Sequence, residues 1–228
     1  MDYIINGFIE AFRLIFAFDS EVFSAVFISL KVSIIAIILS AIISFPLGFI
    51  IATKSFFVKK PLITLINTLM AVPTVVVGLI IYTLISRRGP FGMLNLLYTQ
   101  TAMIIGQFIL VTPILVGLAI SAIHSVDERV AETALTLGAN RRQLALAIFL
   151  EARFGLLAAL VSGFGRIIGE VGSAMMLGGN IRHFTRTMST AIALQTSMGE
   201  FEIGIALGII LLMVAFLINI LFHYFQQK

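Results

Sequence analysis

The sequence contains no cysteine and no tryptophan, and only 11% of its 228 residues are charged. Without cysteine the chain forms no disulfide and offers no thiolate to a metal ion. The charged fraction is far below the roughly 25% of ordinary soluble domains. Apolar residues dominate instead, at 60% of the chain, and the mean hydropathy is +1.11. The composition therefore indicates an integral membrane protein.

Five segments are apolar enough to cross a membrane, whose hydrocarbon core of about 30 Å takes about 20 helical residues. They are residues 32–53, 61–86, 99–122, 154–177 and 203–222. Residues 89–98 hold two Gly and one Pro and are interpreted as a loop or a short interfacial helix. The chain is thus expected to be a single all-α transmembrane domain over residues 1–228.

Residues 1–22 are predicted to form an amphipathic helix that lies in the membrane interface. They do not fit a cleavable signal peptide, because Asp2 opens the segment and Glu10 and Arg13 stand midway. At helical spacing the segment carries an apolar stripe. The stripe consists of Ile5, Phe8, Ile9, Phe12, Ile15 and Phe16. The alternative is that the segment forms an extra, short span.

The orientation is predicted from Lys and Arg near the span ends, which are more frequent on the cytoplasmic side. One side would carry Lys54, Lys59, Lys60, Arg129, Arg141, Arg142, Arg153 and Lys228. The other side would carry Arg13, Arg87, Arg88, Arg182 and Arg186. This bias predicts a multi-pass protein of the cell membrane with its N-terminus outside and its C-terminus in the cytoplasm.

The arginines on the predicted outer side form two clusters beside glycines. Arg87 and Arg88 precede a Gly-Pro pair, and Arg182 and Arg186 follow a Gly-Gly pair. Such clusters lower the cost of bringing an anion to the mouth of a pathway. Flanking cations are also ordinary anchors to lipid headgroups, and the sequence alone favours that second interpretation.

Three predicted spans contain a proline, which removes a backbone hydrogen bond and kinks a helix. The prolines are Pro46, Pro73 and Pro113, and the last two stand next to hydroxyls, Thr74 and Thr112. These two threonines are candidates for the lining of a gated path. Kinks that serve only packing explain the pattern equally well.

Two charges lie deep in a predicted span. Arg166 and Glu170 are one helical turn apart and are expected to pair. Because a charge in the membrane is costly, such residues face the bundle interior or a cavity. The pair either fixes packing or belongs to the gate of a conduit. Residues 178–180 are expected to end this helix.

The chain shows no sequence pattern for chemistry of its own. It has no P-loop, zinc-protease motif, nucleophile elbow or dinucleotide fingerprint, and its three His have no metal-ligand spacing. We therefore expect no catalytic residue, no metal ion, no cofactor and no nucleic-acid partner for this chain.

Residues 132–151 form a polar island in this apolar chain. Ser125 with Glu128 is predicted to cap a first helix that ends at Gly138, and Asn140 with Gln143 to cap a second. The resulting helix, turn and helix over residues 125–150 would lie on the cytoplasmic surface. A short helix that ends at a glycine turn suits insertion into a groove of a soluble partner.

The island resembles the EAA signature of ABC-transporter permeases. Glu132, Ala134, Gly138 and Ile148 stand in that register, while Thr133 replaces a small residue and Glu151 replaces the usual proline. The resemblance implies a coupling segment that docks on an ATPase. Its expected residues are Glu132, Thr133, Ala134, Leu135, Gly138, Ala139, Arg141 and Arg142.

Residues 86–89 and 169–200 narrow the resemblance to permeases of the molybdate and tungstate group, most closely the tungstate type. This resemblance implies a type I importer permease fold and a homodimer. It also implies two cytoplasmic ATPase subunits that bind ATP and Mg, and an extracellular or periplasmic oxyanion-binding protein. Pathway roles, which rest on position alone, are expected for Thr74, Thr112, Arg166, Glu170, Arg87, Arg88, Arg182 and Arg186.

The expected function is ATP-driven import of tungstate or molybdate by alternating access. The nearest alternative is a permease for sulfate, phosphate, an amino acid or a metal ion. A secondary transporter or channel driven by an ion gradient is less favoured, because the sequence shows no inverted repeat. A membrane-embedded enzyme is the weakest alternative.

Overall fold

A computed structural model describes the backbone of residues 2–226 and the side chains of residues 4–220. Lys228, which contributed to the predicted orientation, lies outside the described residues. The helices in chain order are α1 Asp2–Phe16, α2 Ser20–Thr53, α3 Lys59–Met70, α4 Thr74–Ile85, α5 Gln100–His124, α6 Glu128–Thr136, α7 Arg141–Glu151, α8 Arg153–Ile168, α9 Gly172–Gly178, α10 Met188–Met198 and α11 Phe201–Gln226. A 3-10 turn, Gly92–Leu94, precedes α5. The all-α prediction is confirmed.

Three helices are long and apolar enough to cross a membrane, namely α2, α5 and the described part of α11, Phe201–Ile220. Two bent pairs meet the same criteria when each is taken as one span, which raises the count to five. These pairs are α3 with α4 and α7 with α8. The protein is therefore a multi-pass membrane protein.

Helices α2 and α5 run parallel as the central pair of the bundle. Lys31 Nζ donates to Gln100 Oε1 at 2.9 Å near the start of α5. His124 Nε2 lies 3.3 Å from the Ala52 carbonyl at the other end of both helices. Following the predicted orientation, we name the end that carries Gln100 the outer end and the end that carries His124 the inner end.

Two segments that were each predicted to be one span are interrupted. Residues 61–86 form α3 and α4, which meet at 95°, and Pro73 sits in the break as the N-cap of α4. Residues 154–177 form α8 and α9, separated by residues 169–171. Proline disfavours a helical residue before it, which explains the first break. The kink predicted at Pro73 is confirmed, whereas the break at residues 169–171 was not predicted, because a backbone break inside an apolar run leaves little trace in hydropathy. We call α3 with α4, and α8 with α9, the interrupted spans.

The predicted N-terminal helix is present as α1, and it packs beside α11. Its buried face consists of Gly7 and Ala11, and Asn6 Nδ2 donates to Glu202 Oε1 at 2.9 Å. Most of the predicted apolar stripe points away from the protein, with Ile9 61% and Phe16 78% exposed. Small residues thus face the bundle, and the large apolar side chains are left for contact with hydrocarbon.

Candidate functional site

The two interrupted spans meet at their breaks, and we call the narrow space between them the crease. It is lined by Leu69, Met70, Val72, Thr74, Leu110, Ile114, Arg166, Ile167 and Glu170. Three sequence-predicted pathway residues, Thr74, Arg166 and Glu170, therefore come together at one place. The structure thus places irregular backbone, a hydroxyl and two charges side by side within an apolar bundle, an arrangement found where a cavity or protein satisfies the backbone.

Glu170 holds the second break together. Its carboxylate accepts from Arg166 Nη1 at 3.3 Å, from Ser173 N at 3.1 Å and from Ser173 Oγ at 3.3 Å. Its carbonyl accepts from Ser189 Oγ at 2.8 Å. The predicted Arg166–Glu170 ion pair is present, although Glu170 lies in the break and not inside a helix. The carboxylate thus satisfies one of the backbone N–H groups that the start of α9 would leave unpaired.

The two partners of this ion pair differ in exposure. The Glu170 side chain is 4% exposed, whereas that of Arg166 is 51% exposed. Arg166, which lines the crease, therefore binds Glu170 through Nη1 and keeps about half of its side chain exposed. Arg has five N–H donors and no acceptor, so the exposed edge suits a weak, transient contact with an anion.

Thr112, the fourth predicted pathway residue within a span, lies outside the crease. Its Oγ1 donates to the Phe108 carbonyl at 2.6 Å and lies 3.0 Å from Ser40 Oγ. Ser44 Oγ donates to the Thr112 carbonyl at 3.2 Å. Thr112 thus belongs to a hydroxyl seam between α2 and α5, where its contacts are structural.

The arginines after α9 are tied to α2 by a residue that the sequence did not single out. Glu21 Oε2 lies 2.7 Å from Arg182 Nη2, and Glu21 Oε1 pairs with Arg186 Nη1. One carboxylate therefore neutralises part of the charge of both arginines and fastens the segment between α9 and α10 to the start of α2. An acidic residue at the head of a long apolar helix was the only available signal in the sequence.

Arg87 and Arg88 have a different environment. They line an outer cleft of about 630 Å³ with Tyr82, Ser86, Asn95 and Tyr98. Both arginine side chains are exposed, and neither takes part in an ion pair within the described chain. The side-chain hydrogen bond between Tyr98 and Tyr82 raises the pKa of Tyr98.

The polar island folds as a helix, a tight turn and a second helix. Gly138 forms the turn at φ +81°, a conformation that glycine adopts without strain. The predicted capping box of Asn140 and Gln143 is confirmed at the start of α7. The predicted cap at Ser125 is wrong: Asp127 caps α6 through Arg129 N, and Ser125 Oγ donates to Ala122 O at the end of α5.

The island exposes both charged and apolar side chains at the inner end. Leu135 is 57% and Leu137 82% exposed. A groove of about 630 Å³ lies alongside, and it is lined by Asp127, Arg129, Val130, Thr133, Ala134, Leu137 and Glu151. The side-chain hydrogen bond from Arg129 lowers the pKa of Asp127, which keeps its carboxylate ionised. Exposed leucines with charged neighbours are typical of a protein docking surface.

Residues 44–228 match the family model described as "binding-protein-dependent transport system inner membrane component". The chain belongs to this family. The match includes the crease, the outer cleft and the polar island, whereas Glu21 lies before it. Residues 1–43, which hold α1 and most of α2, precede the matched region.

Curated relatives of this permease family cover the chain fully or nearly so. The chain is 40% identical over 228 residues to the tungstate uptake system permease protein TupB of Peptoclostridium acidaminophilum, which covers 100% of both chains. It is 42% identical over 227 residues to the protein of the same name from Campylobacter jejuni, with 100% of this chain and 95% of the relative covered. It is 40% identical over 206 residues to a probable anion ABC transporter permease of Haloferax volcanii, with 88% and 89% covered.

Proposed function

We propose that this chain is the membrane-spanning subunit of an ATP-driven importer that moves tungstate, or the closely similar molybdate, into the cell. The observation that carries the proposal is the 40% identity to a tungstate uptake permease over the full length of both chains. The crease supports it, because a half-exposed arginine beside an interrupted backbone suits brief contact with an anion. A weak site is what an importer needs if an external protein supplies the selectivity.

The assembly that we propose has two copies of this chain, two ATPase subunits on the inner side and an oxyanion-binding protein on the outer side. ATP and Mg would bind to the ATPases. The N-terminus would lie outside and the C-terminus in the cytoplasm. The family description, which names a binding-protein-dependent system, supports the external partner, and the bias of Lys and Arg supports the orientation.

We propose that α6 and the turn at Gly138 transmit motion from the ATPase to the spans. Leu135 and Leu137 would fill an apolar pocket of the ATPase, with Glu132, Arg141 and Arg142 at the rim. Helix α7 continues into α8 through a bend of 58°, and α8 leads directly to the crease. A displacement of the island would therefore be transmitted through α7 and α8 to Arg166 and Glu170.

Alternating access would then be a change in the angle at the two breaks. Helices α4 and α9 form the outer halves of the interrupted spans, and α3 and α8 form the inner halves. Closure of the ATPases on ATP would move the inner halves against the outer ones. This movement would change the side of the membrane to which the crease is open.

A single substitution tests the docking role. Leu137→Asp places a charge in the docking surface, and we expect it to abolish co-purification with the ATPase and ATP-dependent tungstate uptake into proteoliposomes. The matched control Leu137→Met keeps an apolar side chain of similar volume and should retain both. Normal ATPase binding and uptake by Leu137→Asp would contradict the coupling role of the island.

The cargo is tested separately. Uptake of tungstate by the complete complex is measured in competition with molybdate, sulfate and phosphate. We expect molybdate to compete strongly, and sulfate and phosphate only weakly. If sulfate or phosphate is carried and tungstate is not, the chain remains an importer subunit but the proposed cargo is wrong.

A further inference from the structure

The outer cleft is formed by a loop that folds back tightly on the end of α4. A Cβ added to Gly89 would lie 2.2 Å from the Thr83 carbonyl oxygen, and one added to Gly92 would lie 2.5 Å from the Ser86 carbonyl oxygen. Both contacts are with backbone and are too close for any side chain. The two glycines therefore let the loop close on the helix, which fixes the backbone that carries Arg87 and Arg88.

The opposite wall of the cleft is also fixed. Tyr98 has a left-handed backbone with φ 61°, and its N–H donates to the Leu177 carbonyl at 2.8 Å. Its ring lies against Gly179, where a Cβ would be 2.6 Å from Tyr98 Cδ1. A non-glycine residue adopts this backbone only when its surroundings impose it. Tyr98 thus ties the cleft to α9.

The cleft contains positive charge and N–H or O–H donors without a carboxylate on its lining. Ser86 Oγ and one N–H of Asn95 Nδ2 already donate to nearby carbonyls, so the guanidinium groups of Arg87 and Arg88 supply most of the free donors. The second outer pair, Arg182 and Arg186, shares the carboxylate of Glu21. Of these four outer arginines, Arg87 and Arg88 are the two without an ion-pair partner among the described residues.

The cleft is connected to the crease by two short helices. Helix α4 runs from Thr74 at the crease to Ile85 below the cleft, and α9 runs from the second break to Leu177, which Tyr98 contacts. An anion held in the cleft would therefore lie at the outer ends of both half-spans whose inner ends form the crease.

We propose that Arg87 and Arg88, with Tyr82 and Tyr98, form a receiving site for a doubly charged tetrahedral oxyanion at the outer end of the permease. The proposal deepens the proposed function and rests on it for the identity of the anion. Paired guanidinium groups bind such oxyanions through charge-assisted hydrogen bonds. The site would hold the anion after release from the external protein and before it enters the crease.

A lipid phosphate offers the same chemistry. Phe91, Met93 and Leu94 beside the cleft are 52%, 90% and 60% exposed, so the loop suits contact with the membrane interface. The experiment therefore needs one arm with a free anion and one arm with a phospholipid, both on the complete permease–ATPase complex in a detergent without phosphate.

The free-anion arm measures thermal stabilisation and binding on addition of sodium tungstate. We expect a stabilisation that Arg87→Gln/Arg88→Gln loses, with an affinity at least about tenfold lower. The matched control is Arg13→Gln, which also removes a largely exposed arginine of the predicted outer side, but one that is paired with Glu10 and lies outside the lining of the cleft. It should bind tungstate as the unsubstituted complex does. Arg87 and Arg88 are exposed and have no ion-pair partner among the described residues, so the double variant should fold.

The lipid arm adds phosphatidylglycerol instead of tungstate. Stabilisation that depends on Arg87 and Arg88 in this arm alone would assign the site to a lipid phosphate. If stabilisation by tungstate depends on Arg87 and Arg88, and the KM of the double variant for uptake rises about tenfold at an unchanged maximal rate, the site binds the cargo. Equal behaviour of the double variant and Arg13→Gln in both arms would overturn the proposal.

The two proposals fail in different ways. If the unsubstituted complex shows no tungstate uptake but sulfate or phosphate stabilises it through Arg87 and Arg88, the cargo is wrong and the receiving site stands. If uptake is normal and the double variant binds tungstate as tightly as the unsubstituted complex, the receiving site is wrong and the cargo stands.

Discussion

Two pairs of spans in this permease differ in whether their helices are continuous or interrupted. The central helices α2 and α5 each contain a proline and remain continuous. The spans at the crease are interrupted, one of them with Pro73 in the break and the other with no proline between Ile168 and Gly172. A proline is therefore neither sufficient nor necessary for a break in this chain, although it accounts for the first one.

The difference lies in what satisfies the helix ends. At the second break, the Glu170 carboxylate accepts from the backbone N–H of Ser173, and Gln107 Nε2 donates to the Ile167 carbonyl at 3.2 Å. In the central pair, by contrast, both helices continue, and hydroxyls of α2 bond to Thr112 of α5. At the second break polar side chains replace backbone partners, whereas no side chain caps the start of α4 at the first break.

The largest effect that this comparison predicts is at Glu170. Glu170→Ala removes the acceptor for Ser173 N and leaves Arg166 without its partner. Because Glu170 is buried and Arg166 is half exposed, we expect a loss of roughly 2–3 kcal/mol in stability, less than for a fully buried pair. Uptake of tungstate by the complete complex should fall more than about tenfold.

The control for this prediction is Glu200→Ala. Glu200 is exposed at the outer end between α10 and α11, so its loss should leave uptake and thermal stability unchanged. If Glu170→Ala transports at the normal rate, the crease is not part of the pathway, and the break serves packing alone.

The sequence predicts part of this site well. The spacing of Arg166 and Glu170 predicted their ion pair, and the island's glycine turn and Asn140 cap were visible as local patterns. The break between α8 and α9 was not visible in the sequence, because Gly169 and Gly172 look like the small residues that ordinary spans use for packing. Glu21 was missed since its partner Arg186 is 165 positions away, and no local pattern reports such a contact.

A matched pair of substitutions tests the comparison at the level of single hydroxyls. Thr74 lies at the crease and Thr112 lies in the hydroxyl seam, and Thr→Val keeps the shape of both. We expect Thr112→Val to cost about 1 kcal/mol of stability with normal uptake. Thr74→Val should keep its stability and lower uptake about fivefold.

The measurements are thermal unfolding of the purified permease and initial rates of tungstate uptake in proteoliposomes. The hydroxyl of Thr74 has no hydrogen-bond partner among the described residues, which is why its loss should not destabilise the fold. The reverse pattern, with slower uptake from Thr112→Val and a less stable Thr74→Val, would place the pathway at the seam and not at the crease.

The smallest predicted effects concern the prolines themselves. Pro46→Ala lies in a helix that is already continuous, so it only restores one backbone N–H, and we expect the unfolding temperature to change by at most about 2–4 °C. Pro73→Ala instead allows residue 72 to become helical and should lower uptake about twofold to threefold by loosening the angle between α3 and α4. The loss should be smaller than that of Glu170→Ala, because a proline only disfavours the helix at a break, whereas the carboxylate satisfies its open end. If Pro46→Ala impairs uptake as much as Pro73→Ala, both prolines act as hinges, and the distinction between the two kinds of span no longer holds.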